Sequence, residues 1–469
     1  MKGQLSVPLD RQATTPLYLQ LYQLLKASYD PQKSANQKLW SIRKQAQNLH
    51  VSKTTVEQAY DQLIAEGYVY TIPGSGYYFN ELQHWPTSPQ RAKPAMIAAS
   101  PVLPVKYDFR YGVTELLTPS WNGWKKSVRA ALRQTEEQPA ALYPNAQGLL
   151  KLRQQLVTFL RQTRGVQCRA DQIVITNGPK SGLELLLSLL PAGTVGIENP
   201  GYRGLTALAA GYDQQTVRIP VTTVGLDLAV LKRERPQAVY TTPAHQFPLG
   251  YGLPIAQRLD LLQWAAEKRC LIIEDDYDSE YRYDAHPLPA LQSLATADQV
   301  AYLGTFAKGI DPTSRMGYVV LPEQLLARYH QRYQYRSAMV AGLVQQAMVN
   351  YFESGAYYRH LSRSRSLNRQ KYQLLSKLLS KTTAIQPILT GAGLHLVIRI
   401  PKIPQADLMA ALQQQSIRIY PLDSNWENMP TPDYYLLGFT ALSLAALKVA
   451  IPMLVTTCEQ LVAQIEKNN

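Results

Sequence analysis

The sequence predicts an α/β protein of two dissimilar parts, a small helix-rich unit ending in a β-hairpin and a large unit of alternating strands and helices. Three observations predict it. Residues 16–79 show helical apolar spacing and then two short strands. Residues 81–106 carry Pro86, Pro89, Pro94, Pro101 and Pro104 with no persistent period. From residue 107 onward, short apolar runs alternate with helical segments. At 469 residues the chain exceeds what one ordinary core holds, so two or three units are expected.

Composition narrows the class. Apolar residues make up 46%, typical of globular proteins. No uninterrupted apolar run reaches the ~20 residues of a membrane helix, and MKGQLSVPLDRQ has no apolar signal region. Cys168, Cys270 and Cys458 are too few and too scattered for a metal box or a disulfide framework, so a reducing, cytoplasmic setting is expected. The net charge of +14 suits a polyanionic partner without naming it.

In the first unit, residues 1–80, Leu17, Leu21, Leu24 and Leu25 recur at helical spacing. Ser41 can cap a helix over 42–48, and Ser52 a second, with Val56, Ala59, Tyr60 and Leu63 on one face and Gly67 at its end. YVYTIPGSGYYF then reads as a hairpin turning at Pro73-Gly74-Ser75-Gly76. Helix, helix–turn–helix and hairpin in this order make a winged helix. The second helix of the pair opens with Ser52-Lys53-Thr54-Thr55, small polar and basic residues of the kind that meet base edges and phosphates. Between Pro31 and Val56 stand five basic residues, Lys33, Lys38, Arg43, Lys44 and Lys53, and no acidic one.

Residues 16–79 resemble the GntR-type winged helix through SIRKQA, HVSKTTVEQAYDQLIAEGYVY and PGSGYYF. The resemblance implies a double-stranded DNA operator as partner, contacted by Arg43, Ser52, Lys53, Thr54 and Thr55 and by the wing around Gly74 and Gly76. Trp40 replaces the usual proline before the second helix, and Ile72-Pro73 stands where the wing often has a basic residue. Residues 81–106 read as an extended interdomain linker.

In the third segment, 107–469, DQIVITNG, TVGIENPGY, QAVYTTPAH, CLIIEDDYD and QVAYLGTFAK read as strands ending in polar or small residues, with helices such as IAQRLDLLQWAAEK between. In such sheets the chemistry lies beyond the C-terminal strand ends. The residues there suit pyridoxal 5'-phosphate, which needs a lysine for its aldehyde, an acid at the pyridine nitrogen, a phosphate cradle and an aromatic face. Lys308 follows an apolar strand and is the candidate Schiff-base nucleophile. Arg315 and Thr305 can grip the phosphate. Asp275 can hold the pyridinium proton, Tyr277 can reach the 3-hydroxyl, and Tyr202 can stack on the ring. ITNGPKSG, with Lys180 and Ser181, places a helix N-terminus where a phosphate binds.

Residues from about 107 to 460 resemble fold type I, class I/II aminotransferases. With the GntR-type head the whole chain is identified as a member of the MocR subgroup of regulators, through PAHQFPLGYGLPIAQRLDLLQWA, LIIEDDYDSEYRY, PLPALQSL and GTFAK. The resemblance implies the roles just given. It adds Tyr143 as a residue reaching the phosphate of the neighbouring subunit, and His245 and Gln246 as pocket residues. It also implies a homodimer through the large unit, with heads swapped across it. Four departures bear on function. Ala307 replaces a phosphate-binding serine, Pro179 a loop residue with an N–H, Phe247 an asparagine near the 3-oxygen, and Leu436 the arginine that binds a substrate α-carboxylate. Leu436 argues against a working aminotransferase with a DNA-binding appendage. Lys308, Asp275 and Tyr277 argue against a cofactor-free dimerisation module. The expectation is a regulator, not an enzyme, whose cofactor-bearing domain senses a small effector: the cofactor itself, an amino acid or an amine.

Overall fold

The computed structural model describes residues 9–30, 33–81, 105–113, 118–136, 144–223, 225–283, 288–306, 314–428 and 433–468. The chain divides into two compact units, residues 1–102 and 103–469.

The small unit contains α1 (Leu17–Ser28), α2 (Ile42–Leu49), α3 (Lys53–Ala65), β1 (Val69–Ile72) and β2 (Gly76–Phe79). The expected caps are present. The Ser41 side chain accepts from the Lys44 N–H at the start of α2, and Ser52 accepts from the Thr55 N–H at the start of α3. The turn between the two helices runs through His50, which closes α2 in the left-handed region at φ 52°. Val56, Ala59, Tyr60 and Leu63 face inward and pack with Leu21, Leu25, Val69 and Phe79. β1 and β2 pair antiparallel from Val69↔Phe79 to Ile72↔Gly76, and Gly74 at φ 74° and Gly76 at φ 119° supply backbone that other residues resist. A feature with no periodic signal completes the wing. Asn36 and Leu39 donate backbone N–H groups to Phe79 and Tyr77, so residues 36–39 line the free edge of β2.

The large unit runs β3 (Tyr107–Asp108), α4 (Thr118–Glu136), α5 (Leu150–Arg164), β4 (Ile173–Thr176), α6 (Gly178–Leu189), β5 (Gly193–Asn199), α7 (Gly204–Ala210), β6 (Gln214–Thr222), β7 (Gly225–Leu226), α8 (Leu228–Glu234), β8 (Ala238–Thr241), α9 (Ile255–Lys268), β9 (Leu271–Asp276), α10 (Leu291–Leu294), β10 (Val300–Thr305), β11 (Gly317–Val320), α11 (Glu323–Tyr333), α12 (Gly342–Glu353), α13 (Ala356–Leu379), β12 (Gln386–Ile388), β13 (His395–Arg399), α14 (Gln405–Gln414), β14 (Ile417–Arg418), β15 (Tyr420–Pro421), β16 (Tyr434–Gly438) and α15 (Leu444–Asn468). Eight strands form the main sheet in the order β4-β11-β10-β9-β8-β5-β6-β7. The central pairs β10·β9, β9·β8, β8·β5 and β5·β6 are parallel, and β11 and β7 make the pairs at the margins antiparallel. The central strands β8 and β10 are buried throughout, which is why the sequence shows unbroken apolar runs there rather than alternation. Apolar layers cover both faces. A second sheet, β12-β13-β16-β15, belongs to the C-terminal part.

Lys106, counted above with the linker, donates its N–H to Ser416 O and so is tied into the large unit. Although no uninterrupted apolar run is long enough to cross a membrane, α15 passes that test by length and average hydropathy over Leu444–Lys467. Its Leu447, Ala450, Ile451, Leu454 and Cys458 are buried at helical spacing in the core, the pattern of an amphipathic core helix.

Candidate functional site

The parallel strands place their C-terminal residues side by side. Asp275 lies near the end of β9, opposite Leu303 of β10, and Tyr240 lies near the end of β8. The Tyr240 hydroxyl donates to Asp275 Oδ2 at 2.6 Å. Asp275 Oδ1 is buried and has no hydrogen-bond partner among the described residues. Burial, opposed by the Tyr240 bond and reinforced by the negative neighbours Asp276, Glu198 and Asp278, pushes this carboxyl up to about 7. An acid with one oxygen tethered and the other bare is suited to a cationic N–H brought in by a ligand.

Asp275 sits in a cleft of about 260 Å³ with Tyr277, Tyr202, Lys180, Pro179, Tyr240, Phe247 and Tyr111 on its walls. Tyr202 folds back over Gly204, where a Cβ would come within 2.6 Å of its hydroxyl, so the glycine leaves room for the ring. At one end of the cleft α6 begins at Gly178, earlier than the SGLELLLSLL pattern indicates, with Pro179 in its first turn. Gly178 has φ 80°, and a Cβ there would stand 3.6 Å from an Arg315 guanidinium nitrogen. Arg315 is itself left-handed at φ 47°. A Cβ on Gly317 would come within 2.9 Å of the Gly178 carbonyl carbon, so the start of β11 lies directly against the start of α6. Thr305, the last residue of β10, pairs with Gly317. The N-terminal end of α6, the Arg315 guanidinium and exposed Lys180 thus gather positive potential on one side.

Behind the cleft wall lies a second set of buried polar residues. The Tyr277 hydroxyl donates to His245 O at 2.7 Å and lies 3.0 Å from His245 Nδ1. Asp278 brackets the same nitrogen at 3.0 and 3.1 Å. His245 therefore stands behind Tyr277 rather than on the wall. Gln246 donates to Glu198, Pro200 O and Phe247 O and accepts from Leu249 N–H, which holds the chain turn that carries Phe247. Glu198, buried at the end of β5, accepts from both hydroxyls of Thr241 and Thr242 and from the Thr242 N–H.

The Glu274-Asp275-Asp276 run divides by strand parity. Asp275 faces the cleft. Asp276 accepts from Arg164 Nε at 2.7 Å and from the Tyr302 hydroxyl at 2.6 Å, and Glu274 accepts the N–H groups of Leu291 and Gln292. Arg164 keeps Asp276 below the usual carboxylate range against the cost of burial, whereas Glu274 is pushed up to about 7. Two of these acids build the fold and one is presented to the cleft.

Leu436 lies in β16 and is buried with Leu249, Val397 and Leu422, against which Tyr111, Phe247, Tyr251 and Trp426 pack. Arg418, half-exposed in β14, makes no side-chain hydrogen bond or ion pair among the described residues. Lys308, Ala307 and Tyr143 lie outside the described residues, and Ser181 is half-buried in the first turn of α6.

In the small unit, Arg43, Lys53 and Thr54 are exposed on α2 and α3, and Gly74 is exposed at the wing tip. The Ser52 hydroxyl serves the α3 cap and contacts Thr55 Oγ1 at 2.8 Å, so these two hydroxyls act first on each other. Trp40 carries the Lys44 ammonium over its ring at 4.7 Å and accepts the Tyr60 hydroxyl at its carbonyl.

Residues 112–425 match the family model "Aminotransferase class I and II". The HTH-type transcriptional regulator YhdI of Bacillus subtilis is 32% identical over 468 residues, 97% of this chain and 98% of that protein. The chain belongs to the MocR subgroup of GntR-type regulators. The probable rhizopine catabolism regulatory protein MocR of Rhizobium meliloti is 28% identical over 94% of both chains. Among solved structures, the α-aminoadipate aminotransferase LysN of Thermus thermophilus, complexed with a phosphopyridoxyl-leucine adduct, shares the fold at TM-score 0.66 and 23% identity, over 76% of this chain and 93% of that one.

The sequence pattern did not single out Tyr240, Tyr111, Glu198 or Asp278. A signal for Tyr240 was present: an aromatic hydroxyl at the end of an otherwise apolar buried strand needs a partner. Tyr111 has no such signal, because it reaches the cleft from a segment after β3 that is distant in sequence.

Proposed function

We propose that this protein is a DNA-binding transcriptional regulator whose large unit holds pyridoxal 5'-phosphate and uses it to sense a small effector. The carrying observation is Asp275, whose Oδ1 is buried and unpartnered at the floor of an aromatic cleft. A protonated ring nitrogen supplies the missing donor and the positive charge that relieves the strained carboxyl. Tyr202 supplies a ring face, and Tyr277 stands on the wall beside Phe247. Arg315, Lys180, Thr305 and the start of α6 supply the phosphate end, with Ser181 in the same turn. Lys308 follows the β10 strand end and is the residue that captures the aldehyde. Bound there, pyridoxal phosphate supplies an aldehyde carbon that reacts reversibly with primary amines. Tyr143 completes the phosphate end from a second copy, which makes the working form a homodimer, with the heads exchanged between the two chains.

The head provides the operator contacts through Arg43, Lys53 and Thr54, with Ser52 and Thr55 shaping the start of α3 and Gly74 and Gly76 bringing the wing backbone close to the duplex. Arg43 and Lys53 contribute phosphate attraction, and α3 contributes base readout. The domain acts as a sensor rather than as an enzyme because fast transamination requires a substrate carboxylate fixed in one geometry, and Leu436 supplies neither charge nor donor. An effector need only favour one conformation over another to change DNA binding.

One experiment tests the core of this reading. Purified protein is expected to show a visible absorption band that borohydride removes, and Lys308→Ala is expected to abolish it. An unchanged band in that variant would overturn the assignment. Light scattering at micromolar concentration is expected to give a dimer.

A further inference from the structure

The two ends of the cleft differ in chemistry. At the α6 end stand Lys180 and, beside Gly178, Arg315. Another part of the wall is made of Tyr111 and Phe247, with ring centroids 5.5 Å apart, and Tyr277 meets each of them edge-on at 6.4 and 6.1 Å. Behind these rings comes the buried apolar cluster of Leu249, Val397, Leu422 and Leu436. Among the described residues that line the cleft, Lys180 is the one cation and Asp275 the one anion.

Two arginines touch rings that pack on this apolar cluster, and both are already matched, whereas Arg418 in β14 is not. Arg110 donates to the Tyr420 hydroxyl at 3.0 Å and pairs with Asp108 at 3.5 Å. Arg399 lies over the Tyr434 ring at 5.6 Å and donates to Asp433 at 2.7 Å. A carboxylate pressed against this wall would lose its water and meet aromatic rings with no cation among the described residues of the wall, whereas an apolar group would gain by burial. Aromatic faces also attract an incoming ammonium before it reacts.

We infer that the effector of this site is a primary amine with an apolar or aromatic body and no carboxylate. The inference rests on the reading that the cleft holds pyridoxal phosphate, and it narrows the choice among cofactor, amino acid and amine. The body of the molecule lies against Tyr111 and Phe247. Selectivity then comes from what the wall refuses: an α-carboxylate is rejected because its charge would be buried without a partner.

The test is a spectral titration of the full-length, cofactor-loaded protein with 2-phenylethylamine, L-phenylalaninamide and L-phenylalanine, which share a body and differ at one position. The amine is expected to shift the visible band at a concentration about 10–100-fold below the amino acid, the range that a missing charge-assisted hydrogen bond accounts for. The amide is expected between them. Leu436→Arg is expected to narrow or reverse the ranking. If that variant does not fold, the ranking on the unaltered protein decides alone. L-phenylalanine binding as tightly as the amine would overturn the inference, and Arg418→Ala would then show whether that residue takes the carboxylate. A loaded protein whose band none of the three ligands shifts would overturn it as well. A protein with no borohydride-sensitive band would instead remove the cofactor reading, and the inference with it.

Discussion

The head and the large unit use polar residues in opposite ways. In the head, Arg43, Lys53 and Thr54 are exposed, and the hydroxyls of Ser41 and Ser52 close helix ends. In the large unit, Glu198, Asp276 and Asp278 are buried, Asp275 is half-buried with its Oδ1 enclosed, and each has a hydrogen-bonding neighbour. A surface of unpaired cations suits a ligand that is itself a polyanion, since phosphate attraction works through solvent and releases counterions. A buried carboxylate with one bare oxygen suits a single small ligand that must bring its own donor. The difference teaches where each unit is vulnerable: charge changes on the head alter affinity without cost to the fold, whereas charge changes in the cleft alter fold and affinity together.

The sharpest test of this contrast is Asp275→Asn. Loss of the anion is expected to weaken cofactor binding by about 10–100-fold, the worth of a charged hydrogen bond. The same change is expected to raise the melting temperature of the cofactor-free protein by a few degrees at pH 8, because a buried charge is removed while an acceptor for Tyr240 stays. If the melting temperature falls along with the affinity, Asp275 is a structural acid like Asp276 and not one held ready for a ligand.

A second test uses pH. Asp275 and Glu274 are each pushed up to about 7 by burial. Their folded-state values lie above the ordinary carboxylate range, so between about pH 4 and 7 the folded state holds protons that the unfolded state has lost. The stability of the cofactor-free protein is therefore expected to fall as pH rises through that window and to level off above it, by urea denaturation. Cofactor should flatten the curve, and Asp275→Asn should remove part of the slope. A curve that rises across the window would contradict the burial argument.

On the head, Lys53→Ala or Arg43→Ala is expected to flatten the dependence of log affinity on log salt by about 0.9 per lost phosphate contact. Neither change should move the cofactor band. A shift in the band with unaltered salt dependence would place these residues outside the DNA-contacting face. The smallest effect is expected from Ser52→Ala, which removes the α3 cap and should destabilise the head by about 1 kcal/mol, with Ser52→Asn restoring it.

Much of this organisation was legible in the chain itself. Buried parallel strands wrote themselves as β8 and β10, unbroken apolar runs ending in small or polar residues, and period and caps located α2, α3 and the hairpin of the head. Local signals of this kind survive because they depend on neighbours three or four residues away. The edge formed by residues 36–39 was not legible, since it exists only as a pairing with β2.

The residue types of the proposed site were already present in the chain: a lysine after β10, an acid in β9, an arginine before β11, and a leucine at 436. How the polar residues around it are shared out depended on the folded chain. Of three consecutive acids, Asp275 alone turns to the cleft, because β9 alternates its faces and its two neighbours meet Arg164 and the start of α10. His245 and Gln246, which read as pocket residues, became the support for Tyr277 and Phe247, and Tyr240 and Tyr111 took places on the wall. Those assignments depend on contacts between residues tens to hundreds of positions apart, and no local pattern encodes which of several polar side chains will meet a partner first.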